Sequence, residues 1–287
     1  MNDCSDNAND AADAPHMVQL VNVSKSFGAL HVLRGVTLDV PRGQTTVILG
    51  PSGTGKSVLL KLIVGLLKPD AGEIYCNNRR VDTMPPAELV EARKEVGFLF
   101  QMGALFDSMS VEENVAFPLV EHTRLSTPER RERVRRVLEM VGLADTLEKM
   151  PSELSGGQRK RVALARAIVL EPCLVLYDEP TTGLDPIRSD VINELINELR
   201  RHLGVTSIVV THDVKSALKI ADRMVLLYDG RIVCEGEPET FRRTDNQTVQ
   251  RFLQGRADDE DLASIRRGFE RAEEGGRFQD QESGQAE

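Results

Sequence analysis

Apolar and polar positions alternate along this chain with two different periods, and each period predicts a different kind of element. Short apolar runs bounded by turn residues predict strands, whereas apolar residues at every third or fourth position predict helices. The predicted strands are Val18–Val23, Val36–Val40, Thr45–Leu49, Gly72–Asn77, Arg79–Val81, Val96–Phe100, Leu174–Tyr177, Ser207–Val210, Arg223–Tyr228 and Arg231–Cys234. Helices are predicted from Ser57 to about Leu67 and at Gln158–Leu170, Pro186–Leu203 and Lys215–Ile220. Strands that alternate with helices favour an α/β fold with a largely parallel sheet between two helical layers.

The pattern becomes mainly helical between about Met102 and Gln158. Within Pro128–Val141, apolar side chains recur at i, i+3, i+4 and i+7 with charged residues between them, as in an amphipathic helix. We interpret this region as a helical subdomain inserted into the α/β core. The expected organisation is a disordered acidic tail at residues 1–16, a main domain at residues 17–245 and a partly disordered extension at residues 246–287.

The net charge of −9 is confined to the two ends of the chain. Residues 1–17 carry four acids and no Lys or Arg, residues 255–287 carry ten acids and five arginines, and the remainder balances to zero. Nucleic-acid-binding proteins normally carry a basic footprint, so this distribution argues against nucleic acid as a partner. The one basic run, Arg159–Arg161 with Arg166, lies on a predicted helix, where a solvated face is favoured over a groove-binding surface.

The chain is expected to be soluble, with any membrane role left to a partner. No stretch approaches the ~18 apolar residues that span a bilayer, and the N-terminus lacks a signal pattern. The four cysteines (Cys4, Cys76, Cys173 and Cys234) are too widely spaced for a metal site. We interpret them as reduced thiols, two of them buried, in a cytosolic protein.

A complete phosphate-binding loop follows the strand Thr45–Leu49 and opens a helix, which is the context that supports this motif. Its residues are Gly50, Pro51, Ser52, Gly53, Thr54, Gly55, Lys56 and Ser57. The glycines allow backbone N–H groups to turn towards phosphate oxygens, and the helix N-terminus adds partial positive charge. Lys56 is expected to reach the β- and γ-phosphates of ATP, and the Ser57 hydroxyl is expected to bind Mg²⁺.

Two consecutive carboxylates end an apolar strand further along the chain. Asp178 should emerge at the sheet edge beside the phosphate loop, where it can hold Mg²⁺ directly or through water. Glu179 should point elsewhere and be free to orient and polarise the attacking water. Because hydrolysis of this class depends on positioning and charge stabilisation, a carboxylate beyond the metal ligand predicts catalysis. The alternative is a pair of exposed acids at a strand end.

A second glycine-rich turn opens the next predicted helix and is also suited to an anion. It consists of Leu154, Ser155, Gly156, Gly157 and Gln158. One γ-phosphate does not need two such cradles from one chain unless the fold brings them together. The simplest arrangement is a head-to-tail homodimer, in which this turn caps the ATP held by the other chain.

This pentapeptide resembles the signature of the ATP-binding cassette (ABC) proteins, and the resemblance covers roughly residues 18–245. It implies a P-loop NTPase fold, with a RecA-like core, a small antiparallel β subdomain and the inserted helical subdomain. It also identifies residues 17–245 as an ABC ATPase domain. Cassettes outside transport carry coiled-coil insertions, zinc modules or paired cassettes, and this chain has none, so the resemblance favours a transporter subunit.

The resemblance implies roles for four further positions. Gln101 senses Mg²⁺ and water and faces the membrane partner, and Phe27 stacks on adenine. The segment Gly183-Leu184-Asp185 crosses the dimer interface, and His212 holds the γ-phosphate and water. Taken alone, His212 is more typical of a hydrogen-bonded core or surface histidine, and Phe27 is also consistent with a core position.

A narrower resemblance lies in the segment after Gln101. Residues 101–111 are similar to Mla-type (maintenance of lipid asymmetry) and other MCE-associated ATPases, with Asp107 where many small-solute importers have Pro. Further matches are Glu121-His122-Thr123, Pro151-Ser152-Glu153-Leu154, Asp185-Pro186-Ile187 and Arg251-Phe252-Leu253. At Gln158 and at Gly183-Leu184-Asp185, the chain follows the general cassette pattern and departs from some Mla-type members.

This narrower resemblance implies phospholipid transport between the inner and outer membranes. The ATPase homodimer would lie peripherally on the cytoplasmic face of the inner membrane, beneath an integral-membrane permease (MlaE-like). An MCE-domain protein would belong to the same complex, and a STAS-domain protein is a further expected partner in some systems. The alternatives are the ATPase of another ABC system, for lipoprotein release or amino-acid import, and a non-transport ATP-gated clamp on another protein.

Overall fold

The computed structural model describes residues 15–257 together with residues 262, 263, 266, 267 and 269. The expected disordered tails therefore lie mostly outside the described residues. The chain divides into one compact unit that ends at Arg243 and a second that begins at Thr244. In the second unit, a helix at Gln247–Leu253 is capped by Asn246, whose side chain accepts from the backbone N–H groups of Thr248 and Val249.

The first unit alternates strands and helices along most of its length. Its strands, numbered along the chain, are β1 (His16–Phe27), β2 (Leu30–Pro41), β3 (Thr45–Leu49), β4 (Ala71–Cys76), β5 (Arg79–Arg80), β6 (Val96–Leu99), β7 (Leu174–Asp178), β8 (Thr206–Thr211), β9 (Arg223–Tyr228) and β10 (Arg231–Gly236). Its α-helices are α1 (Lys56–Ile63), α2 (Pro86–Lys94), α3 (Val111–His122), α4 (Thr127–Met140), α5 (Gly156–Ile168), α6 (Pro186–Leu203), α7 (Val214–Ile220) and α8 (Pro238–Arg243).

The main sheet has the strand order β10-β9-β3-β8-β7-β6, and all neighbouring pairs are parallel except β10 with β9. Strands β3, β7 and β8 are buried along their whole length, as expected for a parallel sheet covered on both faces. The carboxyl ends of these three strands meet at one edge of the sheet. That edge carries the phosphate-binding loop and the acidic pair.

A second, antiparallel sheet has the order β2-β1-β4-β5. One buried cluster contains the apolar side chains of this sheet and of α1, together with alternate residues of β3, β7, β8 and β9. Alternate positions contribute because successive side chains of a strand point to opposite faces. The predicted small β subdomain and the α/β core thus share a hydrophobic core.

The inserted region contains α3, α4, short 3₁₀ helices at Ala144–Thr146 and Pro151–Glu153, and the start of α5. Helix α3 begins with a capping box between Ser110 and Glu113, and Ser126 with Glu129 forms another at the start of α4. Val134, Val137 and Leu138 are buried, in agreement with the predicted amphipathic stripe. The region is therefore helical, as the sequence pattern predicts.

Three local predictions were wrong. Helix α1 ends at Ile63, before Leu67, because Gly65 adopts a left-handed φ of 66° that breaks the helix. Helix α2 was not predicted, since it buries none of its side chains and so carries no apolar stripe. Of the cysteines in the described part, only Cys76 is buried, whereas Cys173 and Cys234 are half-buried.

Candidate functional site

The phosphate-binding loop connects β3 to α1 at the carboxyl edge of the main sheet. A Cβ atom on Gly50 would lie 2.3 Å from the carbonyl oxygen of Leu227, and a Cβ on Gly55 would lie 2.7 Å from Cγ1 of Val32. Gly55 also has a φ of 97°, which L-residues rarely adopt. The loop therefore depends on glycine at both positions, for close approach and for backbone conformation.

Lys56 is buried beneath the loop, with 6% of its surface exposed. Its Nζ donates to the carbonyl oxygens of Gly50, at 2.8 Å, and Pro51, at 2.9 Å. The same atom lies 3.7 Å from Oε1 of Glu179. Burial lowers the pKa of the ammonium, while the charges of Glu179 and Asp178 oppose that shift. The ammonium group of Lys56 is thus buried and bound to backbone carbonyls of its own loop.

Asp178 ends β7, two strands from β3 in the sheet order, and is brought to Ser57 at the start of α1. The Ser57 hydroxyl donates to Oδ1 of Asp178 over 2.7 Å. Burial raises the pKa of Asp178, and the hydrogen bond from Ser57 opposes this. A hydroxyl and a carboxylate oxygen side by side are the ligands that Mg²⁺ prefers, so these residues fit a magnesium site.

Glu179 is 8% exposed and has a left-handed φ of 50°. Its backbone N–H donates to the carbonyl of Val210 over 3.0 Å. The carboxylate atom Oε2 accepts from the hydroxyls of Thr182, at 3.1 Å, and Thr211, at 3.4 Å. Left-handed backbone at a non-glycine residue costs free energy and is concentrated at functional sites. The position of this carboxylate is therefore fixed by several contacts.

His212 follows β8 and places Nδ1 2.9 Å from Oε2 of Glu179. Its ring is 53% exposed, so one side faces the carboxylate and the other faces solvent. The next residue, Asp213, caps α7 by accepting from the N–H groups of Lys215 and Ser216. This capped turn fixes the backbone that carries His212 beside Glu179.

Gln101 lies just after β6, with an exposed side chain. Its carbonyl oxygen accepts from Nζ of Lys160 over 2.5 Å, and the same Nζ donates to the carbonyl of Glu179 over 3.0 Å. Gln101 is therefore linked to the acidic pair through a residue of α5.

The second glycine-rich turn caps α5 and packs on the segment around Asp185. Ser155 accepts from the N–H of Gln158 and donates its own N–H to the Gln158 side chain. A Cβ on Gly157 would lie 3.5 Å from Arg188, the residue whose N–H is capped by Asp185. Within the described residues, no hydrogen bond or ion pair joins Ser155, Gly156, Gly157 or Gln158 to the phosphate-binding loop. One chain thus presents two separate anion cradles.

Phe27 ends β1, and 48% of its surface is exposed. Nζ of Lys25 lies 5.5 Å from the ring centroid and forms an ion pair of 2.7 Å with Asp70. Asp70 also accepts from the backbone N–H of Ser26 over 2.6 Å. The structure places this ring on the surface and not in the core, which makes its face accessible to a planar base.

The sequence did not identify Lys160, Thr182 and Thr211 as members of this site. The sequence predicts a solvated face for the basic run Arg159–Arg161, and for Lys160 this prediction is wrong, since only 7% of its surface is exposed. The sequence feature that could have indicated burial is the apolar stretch that follows on the same helix, where Val162 and Leu164 are fully buried. Helix periodicity alone does not tell which polar residue of such a run points inwards.

A groove of about 470 Å³ lies beside the segment that follows Gln101. Two pairs of phenylalanine rings line it: Phe98 and Phe100 stack with their centroids 4.2 Å apart, and those of Phe106 and Phe117 lie 4.9 Å apart. The sequence predicts that Ala104, Leu105, Phe106 and Met109 give the segment after Gln101 an apolar docking surface. Ala104 and Phe106 do line the groove, together with Val90, whereas Leu105 and Met109 do not. An aromatic groove open to solvent is suited to an apolar partner surface.

Within the described part of the chain, every helix is too short or too polar to cross a lipid bilayer. No group of three or more His, Cys, Asp or Glu side chains there is arranged to hold a metal ion.

The chain is similar to a family of known proteins and to individual members of it. Residues 33–182 match the sequence model of the ABC transporter family. The intermembrane phospholipid transport system ATP-binding protein MlaF of Escherichia coli (strain K12) is 46% identical over 85% of this chain and 90% of its own length. The probable ribonucleotide transport ATP-binding protein mkl of Mycobacterium leprae is 43% identical over 83% of this chain and 69% of its own length.

A solved structure is similar as well. It is the dimeric post-hydrolysis state of the ATP-binding cassette MJ0796 bound to ADP and Pi, with a TM-score of 0.72 and 37% identity. The match covers 77% of this chain and 98% of that one.

Proposed function

The chain belongs to the ABC transporter family as one of its ATP-hydrolysing subunits, and we propose that it powers phospholipid transport between two membranes. The observation that supports this cargo is the 46% identity with MlaF over 85% of this chain and 90% of that protein. The match with mkl spans a smaller share of that relative, so ribonucleotide transport is the second candidate.

We assign the chemistry to the residues that meet at the carboxyl edge of the main sheet. The backbone N–H groups of the loop from Gly50 to Ser57 bind the phosphates, and Lys56 supports the β- and γ-phosphates. Phe27 stacks on the adenine. Glu179 orients the attacking water and accepts its proton, because its carboxylate is buried, hydrogen-bonded and free of a metal-ligand role. His212 and Gln101 position the water and the γ-phosphate.

Mg²⁺ would be held by Ser57 and Asp178, with Gln101 as an additional ligand. When bound, the ion neutralises charge that develops on the transferred phosphoryl group. The 2.7 Å approach of the Ser57 and Asp178 oxygens supports this assignment. The chain itself provides the oxygen ligands and keeps them in register through the parallel pairing of β7, β8 and β3.

We propose that the active unit is a head-to-tail homodimer. The turn from Ser155 to Gln158 lacks a contact with the phosphate-binding loop of its own chain within the described residues, so it is free to cap the ATP of a second copy. Asp185 caps α6 beside this turn and would lie in the same interface. The similar MJ0796 structure is a dimer bound to ADP and Pi.

Residues 17–245 are assigned to the ATPase domain, with the helical insertion at about 102–158, and residues 246–287 to an extension. The homodimer would lie on the cytoplasmic face of the inner membrane, bound to an integral-membrane permease (MlaE-like). An MCE-domain protein is the expected partner for lipid passage beyond that membrane, and a STAS-domain protein would bind the ATPase itself.

The cargo is tested by isolating the transporter from its own host. Tagged chain is purified from detergent-solubilised membranes, the co-purifying integral-membrane subunit is identified, and bound lipids are extracted and measured by mass spectrometry. We expect a permease that carries phospholipid. A bound lipoprotein, or a complex with an amino-acid-binding subunit, would assign the chain to another ABC system. Purification without any membrane protein would favour the ATP-gated clamp.

Docking of the permease is predicted to depend on the aromatic groove. Val90 lines the groove and is 45% exposed, so Val90→Glu should leave the fold and ATP binding intact. A charge buried at an interface costs about 2–5 kcal/mol, enough for the permease to be lost on purification. The matched control is Val120→Glu on α3, which is 50% exposed and does not line the groove. Equal recovery of permease with both variants would place the contact elsewhere.

A further inference from the structure

Lys160 is a second buried lysine near the acidic pair, outside the phosphate-binding loop. It lies on α5, five residues after the Ser155 cap, and is 7% exposed. Among the described residues, no carboxylate lies within ion-pair distance of its Nζ. Two backbone carbonyls accept from it instead, those of Gln101 at 2.5 Å and Glu179 at 3.0 Å. A buried cation is costly, and here its hydrogen bonds are made to two loops of the catalytic site.

One of the two carbonyls, that of Glu179, belongs to strained backbone. Glu179 has a φ of 50°, a conformation that L-residues adopt only when surrounding contacts hold it. Its N–H donates to the carbonyl of Val210, and its C=O accepts from Nζ of Lys160 at 3.0 Å and from the N–H of Thr182 at 3.3 Å. These bonds fix the peptide groups on both sides of the Cα atom that carries the carboxylate. Removing the bond from Lys160 would leave the carbonyl of Glu179 with only the longer bond from the Thr182 N–H.

The segment after Gln101 runs along the same face of α5. The backbone of Gly103 passes so close that a Cβ there would lie 3.4 Å from the Cβ of Ala163. Further along, Nη2 of Arg166 donates to the carbonyls of Gly103, at 2.9 Å, and Ala104, at 2.8 Å. Lys160, Ala163 and Arg166 are three residues apart in succession, so they lie on one side of the helix. Helix α5 therefore holds the backbone of Gln101, Gly103 and Ala104.

We propose that Lys160 is a positioning residue for ATP hydrolysis, which joins the backbone of Gln101 to that of Glu179 through its buried ammonium group. The inference rests on the proposed catalytic role of Glu179. Helix α5 also begins at the second glycine-rich turn, at Ser155, and contacts the groove residue Ala104, so it connects both to Glu179. Movement of either would change the placement of the catalytic carboxylate. Even a small displacement of the carboxylate would slow hydrolysis, since misplacing a catalytic group by about 1 Å can lower the rate about a hundredfold.

Burial lowers the pKa of Lys160, while the charges of Glu179 and Asp178 raise it. The two carboxylates thus help to keep the ammonium charged, although neither contacts it.

The test separates turnover from ATP affinity in the full-length protein. Lys160→Met keeps most of the side-chain volume and removes the donors. We expect kcat to fall about tenfold or more, with the affinity for ATP within about twofold of the parent. Lys160→Gln restores an amide donor and should recover much of the lost kcat. Lys149→Met, at an exposed lysine of the helical insertion, is the matched control and should have parental kinetics.

Parental kcat in Lys160→Met would overturn the proposal. So would equal losses of kcat and ATP affinity that Lys160→Gln does not recover, because these would indicate a general structural role. If Lys160→Met does not unfold cooperatively, the same comparison is made with Lys160→Ala, whose cavity can admit water to the two carbonyls. Glu179→Gln is assayed in parallel. Parental hydrolysis by that variant would contradict the catalytic role of Glu179 itself, and with it the positioning role of Lys160.

Discussion

Replacing Glu179 by Gln is expected to lower the rate of ATP hydrolysis by about 10²–10⁴-fold while ATP binding persists. Gln keeps the shape of the side chain and can bond to Thr182 and Thr211, the hydroxyls that now donate to Oε2. It lacks the negative charge that polarises water and accepts a proton. Because binding and hydrolysis are then uncoupled, an ATP-bound dimer should accumulate. Phosphate release and light scattering with Mg²⁺ and ATP measure the two effects.

The matched control for this change is Glu139→Gln on α4, where an exposed glutamate makes no contact with the site. It should have the parental rate. Hydrolysis by Glu179→Gln within a few-fold of the parent would exclude Glu179 as the catalytic carboxylate and would direct attention to His212 and the backbone around it. Loss of ATP binding would indicate that the charge pairs with Lys56, at 3.7 Å, to hold the phosphate loop.

Replacing Ser155 by Arg is expected to lower turnover by about a hundredfold and to prevent ATP-driven dimerisation. The side chain is exposed in one chain, so the arginine does not disturb a core. In the shared-site arrangement it would enter the space of the γ-phosphate held by the second copy. The matched control is Ser126→Arg, which removes the same kind of capping box from α4, away from the signature turn. Only Ser155→Arg should affect dimerisation.

A mixture of two inactive variants tests the shared site directly. Lys56→Ala disables the phosphate-binding loop, because it removes the ammonium that supports the phosphates. In a heterodimer of Lys56→Ala and Ser155→Arg chains, one composite site has both defects and the other has neither. Part of the parental turnover should therefore return on mixing if one intact site suffices. Unchanged turnover and dimerisation in Ser155→Arg alone would contradict the head-to-tail dimer.

Local sequence pattern determined most of the secondary structure, because strand and helix periodicities are properties of neighbouring residues. The strands Thr45–Leu49 and Arg223–Tyr228 and the helix Pro186–Leu203 have the bounds that the pattern predicts. The pattern was insufficient for α2, which buries no side chain, and for the end of α1, which depends on the backbone of Gly65. Motif residues on consecutive positions, such as Asp178 and Glu179, could likewise be recognised before the fold was seen.

The grouping of the site was decided by tertiary structure. Ser57 and Asp178 are 121 positions apart and meet only because β3 and β7 flank β8 in one parallel sheet. His212 reaches Glu179 for the same reason, since the carboxyl ends of neighbouring parallel strands share an edge. Lys160 shows most clearly what the sequence pattern could not predict. Its charge and its helix were evident from the sequence, but its burial depends on the loops of Gln101 and Glu179 that fold over it. Sequence pattern specifies elements one at a time, whereas burial and hydrogen-bond partners depend on which elements pack together.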